Sequence, residues 1–438
     1  MMKFFNKIFF LLFILFSSKG FCLKSFQMSD TKPIKRNFSS KTFSKGDKYF
    51  QINWYESYYP NLSHYEKTKW KPYAPAFKQP FHSLKKQDAY HRIKKLIDEG
   101  VATGVILYMK NNAIAFKIAD SLATHLDVEI YPQFYNKYSK KNFPTDKLED
   151  YKIKLLSNKN VNVYFNDDIL PENWTKFEVK NFAEILHKNG ENKYFLSCSA
   201  LQNYENPRLN IIDNVDIIAP QLYPLIGRAK IKNDLYSTIP EFHNFEKYYQ
   251  ELIRLKKLVL NYNENHIHKI YEGVTLADYH LNRKNYTVLS RFPTYKEFRY
   301  EFYTAIICGA KAINIFADYA SNEESYGNIK KIIHEFKNTK LEKSVLYGKY
   351  NPQAVEIRDN LFQDTIDYCC YIYDKKKYVI ISNPSSRIQE ITLKNIDGEK
   401  MDLTDWKSKK TEKNIYQKSF FLKPFEIKIY VIGSIKND

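Results

Sequence analysis

The segment Phe298–Tyr319 constrains the fold of this chain more than any other part of the sequence. Its first half repeats apolar residues at helical spacing, and Gly309 stands where a left-handed residue would end the helix. Lys311 to Phe316 then has the length and composition of a buried strand, and Asp318 follows it. A helix that leads through a short turn into a buried strand is the repeating step of a parallel sheet or barrel.

Apolar runs of strand length recur along the chain with helical patterns between them. The candidate strands are Tyr49 to Tyr55, Gly104 to Met109, Val128 to Tyr131, Val161 to Phe165, Tyr194 to Ser199, Val215 to Pro220, Ile270 to Leu276 and Ala312 to Phe316. The helical patterns include Tyr90 to Ile97, Ile114 to Leu126, Lys176 to His187, Phe245 to Leu260 and Lys296 to Cys308. Eight alternating units predict a (β/α)8 TIM barrel.

A doubly wound sheet would show the same alternation. Such a sheet usually carries a Gly-rich phosphate-binding turn after an early strand. The chain has only 12 Gly and contains neither a GxGxxG sequence nor a Walker loop. The barrel is therefore the preferred interpretation.

After about Lys337 the pattern changes to short strands separated by turn residues. These strands are Ala354 to Arg358, Ile366 to Tyr373, Tyr378 to Asn383, Gln389 to Leu393, Ser419 to Leu422 and Glu426 to Ile432. Spacing of this kind predicts a small all-β sandwich. The predicted organisation is an α/β barrel over residues 46–340 followed by a sandwich over residues 350–434.

The amino terminus is typical of an export signal. Lys3 and Lys7 precede an apolar run from Ile8 to Phe16, which is too short for a stable membrane span. Residues 1–22 are predicted to be the targeting segment and residues 23–45 a linker. The protein is then expected to be periplasmic, secreted or held at the cell envelope, and Cys22 leaves lipidation open.

The formal charge of +19 raises the question of a polyanionic partner. Lysine is spread along the whole chain, and no zinc-finger spacing, RNP-like strand or basic heptad helix occurs. We expect no specific nucleic-acid binding. Aromatic residues make up 16% of the chain and suit both cores and sugar stacking.

Cysteine and histidine offer little chemistry. The five cysteines form no disulfide framework, and the adjacent Cys369 and Cys370 fall on opposite faces of one strand. His266 and His268 could share a strand face, but no third metal ligand is evident. No G-x-S-x-G sequence marks a serine nucleophile. The chain is expected to need neither metal nor cofactor.

Barrel active sites lie at the carboxyl ends of the strands, so the candidate site residues are those that follow each apolar run. Acidic and aromatic residues are frequent at these places. They are Glu56, Tyr131, Asp167, Asp168, Gln221, Tyr223, Asp278 and Asp318. Trp54 lies next to this set on the first strand and adds a large aromatic ring.

Two segments carry a resemblance to a known family. Val161 to Trp174, with the sequence VNVYFNDDILPENW, and Val215 to Pro224, with the sequence VDIIAPQLYP, occur in the order found in (β/α)8 glycoside hydrolases. Tyr378 to Ser385 and Phe420 to Ile432 resemble strands of the β-domain that follows many such barrels, the latter a terminal hairpin. The chain thus resembles a glycoside hydrolase-like barrel protein with a carboxy-terminal sandwich, over roughly residues 45–434.

The resemblance implies an exported enzyme that cleaves a glycan with two carboxyl groups. Relatives carry them on the fourth and seventh strands, which points to Asp168 and Asp278. Asp167 and Asp318 are the nearest substitutes. Trp54, Glu56, Tyr131, Asp167, Gln221, Tyr223 and Asp318 are the expected substrate-binding residues. Gln221 departs from relatives that often have Asp there.

Two other functions stay open. A barrel that binds envelope glycans without cleaving them would explain the same aromatic and acidic mouth. An exported scaffold with no glycan site is the third reading. A converging carboxylate pair favours the enzyme, and a single acid facing Lys or Arg favours the binder.

Overall fold

A computed structural model gives the architecture of the protein. It describes residues 50–58, 93–110, 113–126, 129–135, 157–158, 160–161, 163–167, 174–188, 194–222, 226–230, 241–242, 244–265, 270–276, 281–283, 286–290, 293–316, 323–361, 366–396 and 398–434. The export signal, the linker, His266 and His268 lie outside this part of the chain.

Eight parallel strands close into a barrel. They are β1 (Gln51–Tyr58), β2 (Gly104–Lys110), β3 (Glu129–Tyr135), β4 (Val163–Asp167), β5 (Tyr194–Ser199), β6 (Ile217–Pro220), β8 (Ile270–Leu276) and β11 (Ala312–Phe316). A separate three-stranded sheet contains β7 (Ile226–Lys230), β9 (Leu281–Arg283) and β10 (Tyr286–Ser290). The last barrel strand pairs with the first, Asn314 beside Asn53, which is the closure expected from the sequence.

The strand register gives the stagger of this barrel. Successive pairs lead from β1 to β8 through Ser57, Tyr108, Gln133, Phe165, Leu196, Ile217 and Ile270. Two residues further along β8, Glu272 pairs with Ala312, which pairs with Gln51. Ile270 lies two residues before Glu272, so a full circuit that starts at Ser57 ends two residues before Gln51. That is position 49, eight residues before Ser57. A stagger of eight for eight strands is the geometry of TIM barrels.

Helices surround the barrel. They are α1 (Ala113–Leu126), α2 (Lys176–Lys188), α3 (Leu201–Tyr204), α4 (Ile211–Asn214), α5 (Phe245–Asn265), α6 (Tyr295–Ile307), α7 (Glu323–Phe336) and α8 (Lys340–Tyr347). Within the described residues, no helix is both long and apolar enough to span a membrane.

Helix α6 has strong start and stop signals. Thr294 and Glu297 form a reciprocal capping box at its start. At its end the N–H groups of Gly309 and Ala310 donate to the carbonyls of Ile306 and Ala305. Gly309 has a φ of 99°. This is a Schellman motif, and the predicted left-handed residue is confirmed.

The carboxy-terminal part is a two-sheet β-domain. One sheet has the order β12 (Lys349–Tyr350), β14 (Asp367–Tyr373), β15 (Lys376–Ser382), β20 (Ile427–Ser434), β17 (Met401–Asp405) and β18 (Thr411–Ile415). The other has the order β13 (Val355–Asp359), β16 (Gln389–Asn395) and β19 (Gln417–Leu422). Cys370 packs in the core between the sheets and Cys369 in the barrel-side core, and both are fully buried.

The resemblance to a terminal hairpin over Phe420 to Ile432 was wrong in one respect. Strand β19 pairs with β16, whereas β20 pairs with β15 and β17 in the other sheet. The turn around Phe425 therefore carries the chain from one sheet to the other. Phe425 stacks on Phe242 and packs against Tyr300, so burial of its ring directs this crossing.

Charged groups join the barrel helices to the β-domain. Arg299 of α6 forms an ion pair with Glu335 of α7 at 2.8 Å, and its other amino group donates to the Ile427 carbonyl at 2.7 Å. At the same interface, Lys256 of α5 lies 4.0 Å from the buried Asp367 of β14. Burial raises the pKa of Asp367, and the Lys256 ammonium opposes that shift. Burial likewise raises the pKa of the nearby Cys308 thiol.

Candidate functional site

The fourth barrel strand brings an acid to the mouth of the barrel. Asp167 is the last residue of β4 and pairs in register with Cys198, which in turn pairs with Ala219. Cys198 and Ala219 are buried but lie outside the core beneath the helices, whereas their neighbours Phe195 and Ile218 belong to it. Because residues alternate across a strand, the row of Asp167 belongs to the lumen face.

This register separates two adjacent candidates. Val163, Phe165 and Asp167 occupy the lumen row of β4, and Asp168 lies outside the described residues. Of the two acids, Asp167 is the one that the described strand places on the lumen face.

Gln221 extends the lumen row of β6 beyond Ala219. Its backbone N–H donates to the Ser199 carbonyl at 2.9 Å, which continues the pairing of β5 with β6 past the strand end. The residue is half-buried. It stands at the same end of the barrel as Asp167, as expected from the sequence.

An asparagine pair lies in the lumen between the first and last strands. Asn53 donates from Nδ2 to Oδ1 of Asn314 at 2.9 Å, and both residues are fully buried. Among the described residues, Oδ1 of Asn53 has no hydrogen-bond partner. Sequence reasoning missed this pair, although an amide between apolar neighbours in two strands, Ile52-Asn53-Trp54 and Ile313-Asn314-Ile315, could have indicated it.

Trp54 is a core residue, which corrects its assignment to the substrate-binding set. It is fully buried, and its indole N–H donates to the Val101 carbonyl at 2.9 Å. Its ring packs against Tyr326 of α7 at 5.9 Å. The ring therefore lies between the barrel wall and the helices, where it presents no face to a ligand.

Glu56 lies inside β1 rather than after it, because the strand continues to Tyr58. Its position is on the same face of the strand as Trp54. Tyr131 also lies inside its strand, β3, and pairs in register with Ile106, a buried residue outside the helix-side core. The register thus favours Tyr131 over Glu56 as a lumen position.

The seventh barrel strand contains an acid that the sequence reading passed over. Glu272 is the third residue of β8 and pairs in register with Ala312. Its row belongs to the lumen face, because Ile270 on the same row pairs with Ile217. The predicted second acid, Asp278, lies outside the described residues, as do Tyr223 and Asp318.

A large aromatic side chain stands exposed close behind the fourth strand. Phe177, in the first turn of α2, is 75% exposed. Thr175 caps this helix, accepting from the Glu178 N–H, while the Glu178 carboxylate accepts from the Thr175 N–H. Helices that follow barrel strands begin at the mouth, so Phe177 lies at that end.

No cluster for a metal ion is evident in the described part of the chain, where no group of three or more His, Cys, Asp or Glu side chains converges. The four cysteines found there are buried and form no disulfide. Burial raises the pKa of Cys308 and Cys370, which keeps these thiols protonated.

No family model and no curated protein matches this sequence. Solved structures do match the fold. An Anoxybacillus α-amylase shares 12% identity with a TM-score of 0.53, covering 90% of this chain and 99% of its own. A GH27 β-L-arabinopyranosidase from Geobacillus stearothermophilus shares 11% identity with a TM-score of 0.54, covering 90% and 98%.

Eubacterium rectale Amy13B shares 7% identity with a TM-score of 0.52, covering 90% of this chain and 99% of its own. The fold is glycoside hydrolase-like. Identities at this level establish the architecture alone, and the chemistry must be argued from the residues of this chain.

Proposed function

We propose that this protein is an exported glycoside hydrolase that binds a carbohydrate at the mouth of its barrel and cleaves it without a cofactor. The observation that carries the proposal is the position of Asp167 at the carboxyl end of the fourth strand, on the lumen face. The similarity to glycoside hydrolase structures supports the substrate class.

Glycoside hydrolysis needs one carboxyl group that protonates the leaving oxygen and one carboxylate that acts as nucleophile or base. We assign the first role to the fourth strand, to Asp167 with Asp168 as the substitute. Asp278, after the seventh strand, takes the second role in this proposal, with Glu272 on that strand and Asp318 after the eighth as its substitutes.

The remaining mouth residues would hold the sugar. Gln221 offers both a donor and an acceptor to sugar hydroxyls. Tyr131, Tyr223 and the exposed Phe177 offer rings for stacking. Glu56 has at most a place at the edge of the sugar site, because its position on β1 is on the helix side of the strand.

A barrel that binds glycans without cleaving them is the alternative. The amide at Gln221, where related barrels often have an acid, favours it. A screen of p-nitrophenyl glycosides with the purified full chain separates the two functions. The enzyme releases p-nitrophenol from at least one glycoside, whereas the binder releases none while still retaining the sugar in equilibrium dialysis.

A further inference from the structure

The β-domain presents a flat outer face on its three-stranded sheet. The side chains of this outer face are defined here as Arg358, Thr392, Ser419, Glu390 and Phe421. The register pairs Arg358 with Thr392 and Thr392 with Ser419 in one row, and Glu390 with Phe421 in the next. The opposite side of the same strands, including Ile391, Leu393 and Leu422, is buried in the core between the sheets.

Phe421 is the aromatic residue of the outer face. It is 61% exposed, whereas its neighbour Phe420 turns inward and packs on Tyr430 at 5.2 Å. Ile388 and Leu361, at the same end of the sheet, are 53% and 52% exposed. The ring of Phe421 therefore stands in solvent at an end of the sheet where two further apolar side chains are exposed.

Hydroxyl and amide groups form a line beside this ring. Asn360 donates from Nδ2 to Oγ1 of Thr392 at 2.8 Å, and that oxygen lies 3.0 Å from Oγ of Ser419. Thr392 is only 8% exposed and ties the exposed Asn360 and Ser419 to the middle strand. An exposed ring next to a fixed amide and a fixed hydroxyl suits a sugar, whose apolar ring face and hydroxyl edge need both partners.

This end of the β-domain is level with the mouth of the barrel. The Ser386 N–H donates to Glu246 in the first turn of α5 at 3.1 Å. Phe425, in the turn after β19, stacks on Phe242, just before α5, at 5.0 Å. Helices of a barrel begin at the mouth, so Phe421 and Ile388 lie at that end of the molecule and on its outer side.

We propose that the outer face binds a segment of polysaccharide, with the ring of Phe421 stacked on a sugar. The ligand class rests on the proposed function, whereas the site itself lies apart from the cleavage site. A long glycan held here would keep its remaining units close to the barrel mouth. The surface therefore fits a polymeric substrate better than a short oligosaccharide.

The test is sedimentation of the purified full chain with insoluble starch, chitin, xylan and cellulose. We expect Phe421→Ala to weaken binding to the retained polysaccharide about tenfold, the loss of one stacking contact. Tyr416→Ala is the matched control. Tyr416 is 63% exposed at the opposite end of β19, and its loss should leave binding within about twofold.

Three outcomes would overturn the proposal. These are equal binding by wild type and Phe421→Ala, the absence of binding to all four polysaccharides, and a change in oligomeric state on gel filtration of Phe421→Ala. Hydrolysis of p-nitrophenyl glycosides separates failure of the polysaccharide site from failure of the proposed enzymatic function. Binding that depends on Phe421 without hydrolysis by wild type would reject the proposed enzyme and keep the polysaccharide site. If wild type hydrolyses a p-nitrophenyl glycoside, we expect Phe421→Ala to hydrolyse it at the same rate.

Discussion

Single residues fix the β-domain against the barrel. The side chains of Arg299 and Glu335 are 10% and 14% exposed, so their ion pair is shielded from water. Arg299→Ala would leave the Glu335 carboxylate buried without its partner. We expect a loss of about 3 kcal/mol in the free energy of unfolding, measured by urea denaturation.

Arg254 supplies the control. It pairs with Glu205 at the surface, and its side chain is 62% exposed. Arg254→Ala should cost less than about 1 kcal/mol, because solvent screens exposed ion pairs. Equal losses in the two variants would show that burial does not strengthen the Arg299–Glu335 pair.

Asp367 should make stability depend on pH. Burial raises its pKa in the folded state, so its contribution is present in acid and is lost as the pH rises from the ordinary range of a carboxyl group through the raised value. Asp367→Asn removes this titration. We therefore expect the urea midpoint of the variant to fall less than that of wild type as the pH rises above the ordinary pKa of a carboxyl group. Parallel profiles would contradict the assignment.

Sequence reasoning predicted an acid at the end of the fourth strand but could not choose between neighbours. Asp167 and Asp168 are adjacent acids in the sequence, and a shift of one residue in strand register exchanges lumen and helix-side positions without leaving a signal in the sequence. The assignment of Trp54 to the substrate-binding set was wrong for a related reason. Its face is set by helix α7, which lies far away in sequence.

At the scale of elements, Gly309 ends helix α6 in a left-handed conformation that other residues adopt at a cost. Gly309→Ala should lower the free energy of unfolding by about 1 kcal/mol, measured by thermal or urea denaturation. Nothing lies within 4 Å of the added methyl group, so the cost is one of backbone conformation.

Gly327, inside helix α7, is the matched control. Its added methyl group also meets nothing within 4 Å, but its backbone is helical. Gly327→Ala should raise the free energy of unfolding by roughly 0.5 to 1 kcal/mol. A loss in both variants would mean that packing decides the effect at these two glycines.

Most elements could be predicted from the sequence because the hydrophobic periodicity that marks a helix or strand is a local pattern. The predicted helix Lys296 to Cys308 is observed at Tyr295–Ile307, and the predicted strand Gln389 to Leu393 at Gln389–Asn395. Strands β17 and β18 were missed. Four of the five residues of β18 are exposed, so it lacks the apolar alternation that marks a strand.

At the scale of the whole molecule, closure of the barrel is the feature that local patterns determine least. Eight alternating units are compatible with an open sheet, and only the pairing of β1 with β11 closes the ring. The sequence favoured closure through a missing phosphate loop and the resemblance to glycoside hydrolases. The asparagine pair at that seam, Asn53 and Asn314, was not foreseen because it depends on the closure itself.

The position of Asp167 on the lumen face of the fourth strand is the central claim, and the turnover number of Asp167→Asn tests it most directly. The assay uses the p-nitrophenyl glycoside that wild type cleaves best, with Asp168→Asn as comparison and the exposed Asp213→Asn as control. We expect kcat of Asp167→Asn to fall about a thousandfold or more, with sugar binding retained, because the carboxyl group acts in the transition state. A wild-type rate in Asp167→Asn, or a loss confined to Asp168→Asn, would contradict the account.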